Sequence, residues 1–304
     1  MKRIEFHDRE KEAKEIMKIL DVEPSLITFI YGPINSGKTT LINHLIEELS
    51  DEYVVFYINL RTKFLSSYDD FIESLFEMEM EADGLSRKRK ETLAELVSSV
   101  TKVTGIPINK EFLDYVFKDN KPKNAFSYII KLFEEVKARG KQPVLVLDEL
   151  QKIGDVKVNG FLIYELFNFF IDLTKEKHLA HIFVATSDSL FLEQIYSEAM
   201  LEGRCRYLFV DDFDCGTTTA FLEDYGFTDD EMMMAWDYCA GKPGYLIELA
   251  NTKLGSEDVT KKVDKMLEEE ISRFIFMLAR NKETKGDIID MLTIFASVED
   301  VKYS

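Results

Sequence analysis

Cysteine is scarce. The 304 residues contain three, Cys205, Cys215 and Cys239, an odd number with no metal-ligand spacing. That excludes a disulfide framework and reads as apolar filler in a reducing compartment. The four histidines, His7, His44, His178 and His181, form no ligand set either. Long apolar runs are missing: LITFIY and PVLVL are strand-sized, far below the roughly 20 residues of a membrane helix. Met1-Lys2-Arg3 leads into acidic residues rather than the apolar stretch of a secretory signal. Positive charge is also short, with 38 basic residues against 56 acidic and a net charge of −18. Such an excess opposes broad adhesion to nucleic acid or anionic lipid, both polyanions. The expectation is a cytoplasmic protein with no membrane partner. The one basic run, Arg87-Lys88-Arg89-Lys90, reads either as a solvated helix surface or as a docking patch.

Apolar strands alternate with amphipathic helices along the first two thirds. IEFHDREKEAKEIMKILD places Ile16, Ile19 and Leu20 at helical spacing. LITFIY is a strand, KTTLINHLIEELS a helix, and YVVFYINL (53–60) a strand buried on both faces. Residues 68–80 and 86–100 read as helices, 101–122 as an irregular insertion broken by Gly and Pro, and 124–139 as a helix ending at Gly140. Then come strand 143–149, helix 160–177, strand 181–187, helix 188–201 and strand 206–212. From Phe213 onward every segment is helical. This pattern predicts an α/β fold, a parallel sheet covered on both faces, followed by a smaller all-helical domain. The expected domains are a core at 1–212 with an insertion at about 81–123, a helical unit at 213–256, and a C-terminal helical segment at 257–304.

The chemistry is concentrated in residues 26–45, LITFIYGPINSGKTTLINHL. Gly32 to Thr39 fits G-x-x-x-x-G-K-[ST] in full, directly after a strand and opening a helix. Gly32, Pro33, Ile34, Asn35, Ser36, Gly37, Lys38, Thr39 and Thr40 would wrap a polyphosphate, with the helix aiming its positive end at the same place. Lys38 would reach the β- and γ-phosphates, and Thr39 would coordinate Mg²⁺. The second half of such a site is an acidic residue ending another buried strand. Asp148, after VLVL, suits the metal; Glu149 suits orienting or deprotonating the attacking water. Thr186-Ser187 ends the next strand, where a hydroxyl would reach the γ-phosphate or cap the following helix. Arg204 either approaches the γ-phosphate from a neighbouring loop or subunit, or forms a surface salt bridge. Pro243, in Gly241-Lys-Pro-Gly-Tyr245, either nears the nucleotide or makes an ordinary interhelix turn.

Four stretches carry a resemblance. FHDREKEAKEIMKIL, GPINSGKTTLI, PVLVLDELQ, and EGRCRYLFVDDF leading into AFLEDYGF and AGKPGYL together span residues 6 to about 250. In these the chain resembles the archaeal ATPase family, within the STAND branch of AAA+-related P-loop NTPases. The resemblance implies a five-stranded parallel sheet of order 5-1-4-3-2 followed by a helical lid. It implies ATP or ADP as ligand with Mg²⁺ on Thr39 and Asp148, and Glu149 as base. Thr186 or Ser187 would be the sensor, Pro243 would touch the nucleotide from the lid, and Phe6 and Arg9 would border the adenine. VATSDS departs from the family's glycine-serine sensor pattern. Relatives commonly continue into a winged helix, of which residues 285–304 resemble a beginning, so DNA would enter only through that region.

The function expected is an Mg²⁺-dependent ATPase working slowly as a molecular switch, signalling to a protein partner or to another copy of itself. The rival is a nucleotide-held scaffold that recruits protein or DNA through its C-terminal region. A small-molecule kinase fits less well, since Glu149 beside the metal suits water activation.

Overall fold

The computed structural model describes residues 4, 6–78, 101–108, 116–117, 121–154, 161–198, 201–280, 286, 288–290 and 292–293. The helix expected at 86–100 and the basic run at 87–90 lie outside them, as does most of 285–304. The chain divides into two compact units, Glu5–Asp212 and Phe213–Ser304 with Met1–Ile4.

In the first unit the elements run α1 (Glu10–Leu20), β1 (Ile27–Tyr31), α2 (Lys38–Glu48), β2 (Tyr53–Asn59), α3 (Tyr68–Ser74), β3 (Phe76–Met78), β4 (Lys102–Thr104), β5 (Ile106–Ile108), α4 (Lys121–Ala138), β6 (Gln142–Asp148), α5 (Phe161–Ile171), β7 (His181–Thr186), α6 (Ser189–Glu198) and β8 (Cys205–Phe209). The main sheet has six strands in the order β4-β2-β6-β7-β1-β8, every pair parallel. The expected five-stranded sheet is therefore corrected to six, with β4 outside β2 and Val55 opposite Lys102. A three-residue strand is too short to show a period, so 101–122 reads as irregular. The helix expected over 68–80 stops at Ser74, and Phe76–Met78 pairs with Ile106–Ile108 in a small second sheet. Helix α5 gives way at Asp172 to a π-turn ending at Glu176.

Successive side chains on a strand point to opposite faces, and both faces are covered. Ile30, Val55, Val144, Val146 and Phe183 pack against Ile16, Ile19 and Leu20 of α1 and Leu41, Ile42, Leu45 and Ile46 of α2. Their strand neighbours Phe29, Val54, Phe56, Leu145, Leu147, Ile182 and Val184 pack on the other side against α3 to α6. Phe56 meets Phe133 of α4 with ring centroids 4.8 Å apart, and Phe29 meets Phe167 of α5 at 5.7 Å.

The second unit holds α7 (Cys215–Asp224), α8 (Asp229–Cys239), α9 (Pro243–Leu254) and α10 (Val259–Arg280). Its core includes Phe221, Leu222, Ala235, Leu246, Leu249 and Val263. Thr228 and Glu231 close α8 with a capping box. Gly241 accepts the Phe213 N–H at 2.8 Å, and a Cβ there would lie 1.6 Å from the Phe213 carbonyl oxygen. Only glycine permits that approach. Among the described residues no helix is long and apolar enough to cross a membrane.

Two stability outcomes follow from the core. Phe56→Ala should cost the first unit about 3–5 kcal/mol by denaturant titration, because a buried ring leaves a cavity. His181, at the buried start of β7, has its imidazole pulled down to about 4 by desolvation and by the Arg206 and Lys137 cations. The unfolded chain, with an imidazole near 6.5, therefore binds more protons between those values. Stability should be complete above about pH 6.5 and fall as pH drops toward 4, by up to about 1.4 kcal/mol per pH unit. His181→Leu should flatten that slope in pH-dependent denaturation.

Candidate functional site

In the main sheet β7 lies between β6 and β1. The strands are parallel, so the loops after β1, β6 and β7 emerge side by side at one edge, where open α/β sheets bind ligands. The loop after β1 begins at Gly32, whose backbone nearly touches β8's continuation: a Cβ there would lie 2.0 Å from the Val210 carbonyl oxygen. Pro33 accepts the Ser36 N–H at 3.2 Å, Ile34 and Asn35 are exposed at the apex, and Ser36 is fully buried. Gly37 then turns through the left-handed region (φ 92, ψ 13) into α2. Helix α2 has no side-chain cap and no acidic residue in its first turn. Helices α3, α7 and α8 are each capped by a Ser, Asp or Thr side chain. The positive end of the α2 dipole thus faces the loop with no side-chain cap or carboxylate of its own helix to offset it.

The Lys38 ammonium is held over this loop, donating to the carbonyls of Gly32 (2.9 Å) and Pro33 (2.6 Å) and to Ser36 Oγ (3.3 Å). The Thr39 hydroxyl donates to Asp148 Oδ2 at 2.7 Å. Thr40, beside it, is exposed. Asp148 is only 2% exposed, a costly place for a carboxylate unless it is hydrogen-bonded. Three donors offset that cost: Thr39, the Tyr57 hydroxyl at 2.8 Å, and the Glu149 N–H at 3.0 Å to Oδ1. Burial and the adjacent Asp148 charge push the Tyr57 phenol far above its ordinary value, so it stays a donor. Lys102 of β4 stands over the Tyr57 ring at 4.8 Å and bonds Asn43 of α2 at 2.7 Å.

Two hard oxygens side by side, a hydroxyl and a carboxylate, fit the protein share of a Mg²⁺ shell whose remaining ligands are water and phosphate. Among the described residues no group of three or more His, Cys, Asp or Glu side chains could hold a metal alone.

Glu149 adopts a left-handed backbone (φ 63, ψ 42), a conformation costing a non-glycine residue about 1 kcal/mol or more. Its carboxylate is paired with Arg61, just beyond β2, and accepts from Gln151 Nε2 at 2.6 Å. Gln151 also donates to Ser187 Oγ at 3.1 Å and accepts from Thr186 Oγ1 at 2.9 Å. The cap of α6 is Asp188, whose carboxylate accepts the Phe191 N–H at 3.0 Å, so Ser187 is not serving as the N-cap.

The structure thus brings together the loop, Lys38, Thr39, Asp148, Glu149, Thr186 and Ser187. It separates Arg204. Its carbonyl accepts the Ile27 N–H at 3.1 Å, placing it where β1 and β8 begin. The loop lies past the other end of five-residue β1, about 16 Å away at 3.3 Å per residue. An approach of Arg204 to the γ-phosphate within its own chain is corrected by that placement. Arg9 is buried and donates to the carbonyls of Ser36 (2.8 Å) and Asp211 (2.5 Å), tying α1 to the loop and to the end of the β8 segment. Phe6 stacks on His44 of α2 at 4.0 Å. Pro243 is buried at the first position of α9 in the second unit. Arg61, Gln151 and Tyr57 were missed by sequence reasoning. Of these only Gln151, inside PVLVLDELQ, had a signal, its place two residues after Glu149.

A family model described as an ATPase domain predominantly from Archaea matches residues 6–249. An ATP-binding protein of Pyrococcus abyssi is 51% identical over 299 residues, covering 98% of this chain and 87% of the relative. An ATP-binding protein of Methanocaldococcus jannaschii is 48% identical over 314 residues, covering 99% and 86%. Among solved structures, a Walker-type ATPase of Pyrococcus abyssi superposes with TM-score 0.68 at 19% identity, over 96% of this chain and 80% of that one. The ORC2 protein of Aeropyrum pernix in its ADP form gives 0.51 at 14%, over 86% and 69%. These two likenesses concern the fold. The family match and the close relatives decide membership: the chain belongs to the family of ATPase domains found predominantly in Archaea.

Proposed function

We propose that the protein binds ATP and ADP on the Gly32–Thr40 loop and hydrolyses ATP slowly with Mg²⁺, acting as a nucleotide-dependent switch. The observation that carries this reading is the 2.7 Å bond between Thr39 and Asp148, which joins the two motifs across 109 residues of chain. Names of the close relatives as ATP-binding proteins support ATP as the nucleotide. When bound, Mg²⁺ would neutralise charge building between the β- and γ-phosphates, held by Thr39 and Asp148. Lys38 would trade its carbonyl partners for phosphate oxygens, a stronger, charge-assisted bond. Glu149 would take the proton of the attacking water. Its pairing with Arg61 occupies the carboxylate, which favours slow turnover. Residues 213–256 would act as the lid, with Pro243 at the nucleotide, and pass the difference between ATP and ADP states to a protein partner or a second copy.

The scaffold reading has one observation of its own. Ile271, Ile275 and Phe276 of α10 are exposed, at 48%, 60% and 69%, an apolar surface in the C-terminal region suited to a protein. DNA is less favoured there, because Lys261, Lys262, Lys265 and Arg273 alternate with Asp264, Glu268, Glu269 and Glu270 rather than forming a basic face. The scarcity of cysteine favours a reducing compartment such as the cytoplasm.

Lys38→Ala should abolish tight ATP binding in isothermal titration; unchanged affinity would refute the loop assignment. Glu149→Gln should retain ATP binding and lower hydrolysis at least tenfold, since a general base contributes about 10²–10⁴-fold. Phosphate release at the wild-type rate would remove Glu149 from the mechanism.

A further inference from the structure

Gln151 stands at the centre of the polar residues around Glu149, and its orientation is determined by chemistry. A carboxylate only accepts, so the carboxamide nitrogen must be the atom that faces Glu149 Oε2 at 2.6 Å. The carboxamide oxygen then faces Thr186, whose hydroxyl donates to it at 2.9 Å. Thr186 Oγ1 in turn accepts the Asp188 N–H at 3.2 Å. Thr186 is 1% exposed, and the single proton of its hydroxyl is already given to Gln151 inside the protein. It has nothing left to offer a phosphate. Ser187 differs. Its oxygen accepts the second Gln151 N–H at 3.1 Å, so its own proton must point elsewhere, and the residue is partly exposed.

We propose that Gln151 is a positioning residue for hydrolysis. Locked by Thr186, its carboxamide fixes the Glu149 carboxylate and turns the Ser187 O–H outward as the donor to the γ-phosphate. One side chain thus sets the base and the phosphate-reading hydroxyl together. Gln151 acts through both. Thr186 is the anchor of the arrangement and Ser187 its reader. The proposal rests on Glu149 being the base.

The test is steady-state hydrolysis of Mg-ATP by full-length wild type, Gln151→Leu, Gln151→Glu, Thr186→Val, the Gln151→Leu/Thr186→Val double variant and Glu149→Gln. ADP affinity is measured for each as a check of folding. Gln151→Leu should lower kcat at least tenfold with KM within twofold of wild type, because the lost interactions serve the chemical step rather than binding. Gln151→Glu has the native shape but sets a carboxylate oxygen against Glu149, and should lower kcat further. Thr186→Val should lower kcat without changing KM, and the double variant should be no slower than Gln151→Leu, as expected for residues acting as a unit. Wild-type kcat in both Gln151 variants beside an inactive Glu149→Gln would overturn the proposal, as would losses confined to KM or strictly additive losses in the double variant. Wild-type kcat in Glu149→Gln would instead overturn the base assignment beneath it.

Discussion

The hydrogen bond from Thr39 to Asp148 is the constraint on which the site depends. It spans α2 and β6, and it exists because the sheet lays β7 between β6 and β1 with every strand parallel. That order brings three chain crossings to one edge. Asp148 could not stay buried there without Thr39, Tyr57 and the Glu149 amide as donors. Each of those donors also belongs to something else: the loop helix, the neighbouring strand, and the left-handed turn at Glu149. Loss of one contact would therefore disturb the rest.

The phosphate-type loop could be read directly from the sequence because its parts are contiguous. Gly32, Gly37, Lys38 and Thr39 lie within eight positions, and their context, strand before and helix after, is carried by apolar periodicity in the same window. The sheet's alternating coverage could be read for the same reason. The sixth strand could not. Lys102–Thr104 is three residues long, and its pairing with β2 depends on partners more than forty positions away. The roles of Arg61 and Gln151 were hidden likewise, since a surface-type side chain gains its meaning from what the fold sets beside it.

Arg204 is different, because the information was present. A residue just before a strand of a parallel sheet must lie at the edge opposite any loop that follows a strand. Arg204 precedes β8 and Gly32 follows β1, its direct neighbour, so the two are a strand length apart. Motif reasoning alone ignores chain direction. Topology restores it, and the same logic separates Thr186, buried and committed, from Ser187 one position further out.

In the proposed function Lys38, Thr39 and Asp148 share one metal-bound polyphosphate. A crystal structure of the Glu149→Gln variant grown with Mg-ATP addresses that claim most directly. The expected result is Mg²⁺ about 2.1 Å from Thr39 Oγ1, with Asp148 bound to it directly or through one water, and Lys38 Nζ moved from its carbonyls to the β- and γ-oxygens. A nucleotide seated elsewhere, or a metal beyond one water's reach of both Thr39 and Asp148, would contradict it.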